Sequence, residues 1–153
     1  MDEDSFDIFG SVEEPKPTQV RVSRKILKRL RDSGVRNICI TDYDDMYGPY
    51  LKYFLVKKSK LFEEITNNPT FLHDLLVLSK DTKEVLLRDD RTLILLRPLD
   101  EKYLKLILVE TTKAFRDSAY RLLDEFFSLV KEENISDENF VRLLEDAIER
   151  IGG

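Results

Sequence analysis

Three apolar stretches, Glu84–Arg88, Thr92–Arg97 and Tyr103–Glu110, follow one another separated only by Asp89-Asp90-Arg91 and Pro98–Lys102. Links this short reach round a hairpin but cannot carry the chain back across a sheet to a parallel partner. Upstream, the β-branched run Val35–Thr41 is joined to Tyr50–Val56 through the turn-rich stretch Asp42–Pro49. The chain is thus expected to build a five-stranded antiparallel sheet. Leu93–Leu96 is apolar without a break, as a central strand covered on both faces requires. Leu104, Leu106 and Leu108 alternate with Lys105, Ile107 and Val109, which places the two sets on opposite faces.

Helical patterns fill the rest. Ser23 is expected to open a basic helix ending at Ser33, with Ile26, Leu27 and Leu30 as its apolar stripe and Gly34 as its stop. Ser59 caps a helix that Asn67-Asn68-Pro69 interrupts, and a second piece carries Phe71, Leu72, Leu75, Leu76 and Leu78. A long helix spans about 112–131, with Phe115, Ala119, Leu122, Leu123, Phe126 and Val130 on one side. Ser136 caps a last helix, with Asp137 and Glu138 in its first turn. The order α-ββ-α-βββ-α-α is that of an α+β fold, not of a doubly wound nucleotide-binding sheet.

At 153 residues the chain fits one domain. Its net charge of -5 hides three blocks: residues 1–15 carry -6, residues 16–36 carry +7 and the remainder carries -6. Residues 1–20 are expected to form a disordered acidic tail and residues 21–153 a single domain. Within the tail, Phe6, Ile8 and Phe9 lie among acids, the composition of a linear docking motif. Arg21, Arg24, Lys25, Lys28, Arg29 and Arg31 form a basic patch. Nucleic acid or an anionic membrane surface are the phosphate-bearing partners such a patch could serve, and a solvated face is the plain alternative.

The chemistry-bearing residues are few. One cysteine, Cys39, and one histidine, His73, exclude an internal disulfide and a cysteine-rich or multi-histidine metal centre. Five glycines build neither a phosphate-cradling loop nor a dinucleotide fingerprint. Ile38-Cys39-Ile40-Thr41-Asp42-Tyr43-Asp44 superficially resembles the opening of haloacid-type phosphatases, but two strands in direct succession do not supply the alternating strand-helix units that chemistry needs. Asp42, Asp44 and Asp45 are read as a solvated turn, with a surface cation site as the rival. No catalytic residue, cofactor or metal is expected. With an acidic N-terminus and no spanning apolar run, the cytoplasm is the expected location.

The element order resembles the roadblock and longin superfamily of profilin-like domains. The Gly34-Val-Arg-Asn-Ile38-Cys-Ile40-Thr-Asp42 segment is similar to the start of a roadblock domain, and Thr92–Leu99 followed by Tyr103–Val109 is similar to its paired fourth and fifth strands. Two features depart from that pattern. Asp42 and Gly48 stand further apart than in the usual roadblock turn, and the helix at 137–151 is more like longin domains, which end in two helices. The resemblance covers roughly 23–131. It implies a non-catalytic adaptor, a homodimer paired through an edge strand and its neighbouring helix, and a small GTPase as partner. On that reading Val85, Leu86 and Leu87 are the edge, and Leu72, Leu75 and Leu76 are the interface helix. A small-molecule sensing domain is the other reading that a sheet flanked by helices leaves open.

Overall fold

The computed structural model describes residues 14–80, 85–88, 92–100, 102, 104–112 and 117–152, with the backbone alone at 85–88 and 92. Its elements are β1 (Thr18–Gln19), α1 (Arg24–Asp32), β2 (Val35–Asp44), β3 (Gly48–Phe54), α2 (Lys60–Asn67) and α3 (Phe71–Ser79). They continue with β4 (Val85–Arg88), β5 (Thr92–Pro98), β6 (Leu106–Thr112), α4 (Asp117–Glu132) and α5 (Phe140–Gly152). The strands form one sheet in the order β1-β3-β2-β6-β5-β4. All pairings among β2 to β6 are antiparallel, as the short links demand, and the class is α+β.

The sheet gains one strand that the sequence does not announce. Thr18 and Gln19 pair in parallel with Tyr53 and Phe54, and the Val20 N–H donates to the Phe54 carbonyl. A paired strand thus lies within the stretch expected to be a tail. Two paired residues next to Pro15 and Pro17 are too few to show a period of two, so pattern alone cannot find them.

Strand pleating sorts the apolar residues into two cores. Ile38, Ile40, Tyr53, Leu95, Ile107 and Val109 face α1, α4 and α5. Cys39, Phe54, Ile94, Leu96, Leu106 and Leu108 face α2 and α3. The first core is anchored by Phe140, whose ring lies 5.4 Å from that of Phe126 and 5.7 Å from that of Tyr53. The unbroken run Leu93–Leu96 is buried throughout, as expected of a strand covered on both sides.

The caps form where the sequence places serines. Ser23 Oγ accepts from the Ile26 N–H, and Ser59 Oγ from the Phe62 N–H. Ser136 and Asn139 cap each other before α5: Asn139 Oδ1 accepts from the Ser136 N–H, and Ser136 Oγ from the Asn139 N–H. Gly34 follows α1 with φ of 89°, the left-handed conformation that a side chain would strain.

The β2–β3 hairpin is tighter than the turn expected over Asp42–Pro49. β2 runs on to Asp44, which pairs with Gly48 at φ of 80°, and the turn is Asp45-Met46-Tyr47. Asp44 Oδ1 accepts from the Met46 and Tyr47 N–H groups and so takes the place of a longer loop. Asp42 therefore lies within the strand, which accounts for its wide separation from Gly48.

Candidate interaction surfaces

A concavity opens where α1, the start of β2 and the exit of β3 meet α2. Its cavity volume is about 840 Å³, within the range that takes a drug-sized ligand. Leu27, Leu30, Val35, Leu55 and Val56 supply an apolar floor, and Arg31, Arg36, Lys58 and Lys60 stand around it with the acid Glu63. Arg31, Arg36 and Lys58 are exposed, and none of the three forms an ion pair among the described residues.

One buried side chain shapes this groove. Asn37, 1% exposed, sits at an irregular step of the β2–β6 ladder. Its Oδ1 accepts from the backbone N–H groups of Ile38, Leu55 and Val56 at 2.9, 3.2 and 2.9 Å. Its Nδ2 donates to the Val56 carbonyl at 2.8 Å and to Ser59 Oγ at 2.7 Å. Asn37 thus ties the β3 exit to the cap of α2. Glu110, also buried, completes the corner by accepting the Leu61 N–H at 2.9 Å, where the helix N-terminus favours negative charge. Sequence reasoning passes over both residues, because their partners are scattered along the chain.

The six basic residues do not form one phosphate-facing patch. Arg29 turns inward, with Nη2 3.5 Å from the Ile148 carbonyl in the last turns of α5. Arg21, Lys25 and Arg29 line a small cleft shared with Glu145 and Glu149, whereas Arg31 stands on the groove at the other side of α1. Arg24 and Lys28 are exposed. Burial of Ile26 and Leu30 fixes the roll of the helix, and the basic residues divide around it.

The leucines assigned to a partner interface belong to the core. Leu72, Leu75 and Leu76 are buried against Ile94, Leu96 and Leu108, because the second face of the sheet needs a cover and α3 supplies it. The exposed apolar residues of α3 are Val77 (51%) and Leu78 (48%). Val85, Leu86 and Leu87 lie in β4, which pairs with β5 on one side and is the last strand of the sheet. Phe6, Ile8 and Phe9 lie outside the described residues. At the hairpin tip, Tyr43, Met46 and Tyr47 are exposed, Met46 at 66%.

The residues with catalytic potential are separated or restrained. Cys39 is 0% exposed, and burial, reinforced by Glu110, raises its thiol well above the ordinary range, so it stays protonated. His73 is exposed on α3, a different element. Asp42 is held by Lys52 Nζ at 3.4 Å and Lys105 Nζ at 3.9 Å. Among the described residues no group of three His, Cys, Asp or Glu could hold a metal ion. No described helix is long and apolar enough to cross a membrane.

No family model and no curated protein matches the chain. Among solved structures it is similar to a chain described as MglB with tetrameric arrangement, at 15% identity and a TM-score of 0.45, covering 86% of this chain and 98% of that one.

Proposed function

We propose that this protein is a non-catalytic interaction module that pairs with a second copy of itself along β4 and serves as a platform for a small GTPase. The observation that carries the reading is the position of β4 at the end of the sheet, where among the described residues it is hydrogen-bonded to β5 alone. A terminal strand offers a row of backbone donors and acceptors to another strand, and pairing with a copy satisfies both. The exposed Val77 and Leu78 lie on α3, which packs on β5, the neighbour of that edge. The partner class rests on the likeness of the element order to roadblock and longin domains. The buried, protonated Cys39 and the lysine-held Asp42 agree with a role outside catalysis.

Light scattering coupled to size exclusion tests the pairing. The wild-type chain is expected at the mass of a dimer, and Leu86→Lys at that of a folded monomer by circular dichroism. Val77→Glu, at an exposed position, serves if Leu86→Lys does not fold. A monomeric wild type, or a dimer that survives every folded variant, refutes the assignment. Affinity capture with and without a non-hydrolysable GTP analogue tests the partner class, and enrichment that depends on nucleotide state is the expected result.

A further inference from the structure

The groove beside α1 has a composition that its own chain answers. We propose that it is the docking site of the N-terminal segment Ser5–Gly10 of the same molecule, with Phe6, Ile8 and Phe9 on the apolar floor and the surrounding acids against Arg31, Arg36 and Lys58. This goes beyond the edge-strand reading and stands independently of it.

Three observations converge. The first is charge: residues 1–15 carry -6 with no base among them, and the groove presents Arg31, Arg36 and Lys58, exposed and without an ion pair among the described residues. The second is pattern, since large apolar residues set among acids match an apolar floor whose rim carries four bases against the exposed acid Glu63, the other lining acid, Glu110, being buried. The third is position. The described chain enters the sheet as β1 beside Tyr53 and Phe54, and Gln19 Nε2 donates to the Leu55 carbonyl, itself part of the groove wall. Because β1 runs parallel to β3, the chain before Thr18 has to double back to reach the groove. Pro15 and Pro17 stand at that place, and Gly10 and Ser5, four and nine residues before Glu14, can reach about 14 Å and about 32 Å from it.

The experiment uses the full chain with a nitroxide on Ser5→Cys. Cys39 is buried and protonated, so the label goes to one site. In the isotope-labelled, spin-labelled protein, the amide signals of Leu27, Arg36, Val56 and Lys58 are expected to be lost and to return when the nitroxide is reduced. They are also expected to persist in Arg36→Glu/Lys58→Glu, which changes exposed residues only. A second sample mixes isotope-labelled protein lacking the nitroxide with spin-labelled protein lacking the isotope. Loss in that mixture assigns the groove to a second copy and overturns docking within one chain. Signals that are unaffected in every sample, or lost equally in the double variant, overturn the site.

Discussion

Asn37 offers the sharpest test of how the groove is built. Replacing it by alanine removes the acceptor of the Ile38, Leu55 and Val56 N–H groups and the donor to the Val56 carbonyl. A buried polar group left without a partner costs about 1–3 kcal/mol. Several of these contacts are only partly buried, so the low end applies to each, and Asn37→Ala is expected to lose about 3–5 kcal/mol. For a chain of this size that lowers Tm by about 10–15 °C. Asn37→Asp keeps the acceptor and loses the donor, so it is expected to fall between wild type and alanine. Urea denaturation followed by far-ultraviolet circular dichroism gives the difference. The reasoning fails if Asn37→Ala loses less than about 1 kcal/mol, because water or a relaxed turn would then replace the side chain. It also fails if Asp is the more damaging substitution, since the donated bonds would then outweigh the accepted ones.

Stability is expected to fall in alkali in two stages. Burial raises the thiol of Cys39 and the hydroxyl of Tyr53, the latter aided by Asp137, above their ordinary values. A group raised in the folded state contributes its stability below its unfolded pKa and loses it as pH climbs toward the folded one. The decline should therefore start above about pH 8.5 from Cys39 and steepen above about pH 10 from Tyr53. Chemical denaturation across this range should show Cys39→Ala without the first stage and Tyr53→Phe without the second. Arg29→Ala removes a cation from the C-terminal end of α5 and is expected to cost about 0.5–1 kcal/mol, a difference that molar salt erases in thermal melts.

Much of this architecture is written in local signals. Ser23, Ser59 and Ser136 mark helix starts because a capping hydroxyl acts within three residues of its own position. The two-faced burial of Leu93–Leu96 is legible because no polar residue interrupts it. What escapes is decided at a distance. Leu72, Leu75 and Leu76 have the same stripe whether they face a sheet or a partner, and only the second core shows which. Asn37 looks like a polar interruption in a strand until β3 and Ser59 are placed beside it. The groove draws on α1, β2, β3 and α2, so no sequence window contains it. The acidic and basic blocks are plain in the sequence, whereas the division of the basic one around α1 follows from the roll of the helix.

The place of β6 in the sheet has a consequence for how the chain is made. It pairs with β2 on one side and β5 on the other, and so joins β1-β3-β2 to β5-β4. A ribosome delivers both halves before it delivers Leu106–Thr112. Until then the nascent protein carries two unfinished ribbons, with the apolar edges of β2 and β5 open to any passing strand. Insertion of one late segment closes both at once, so the sheet is completed only by pairings between residues far apart in the chain, the kind that form late.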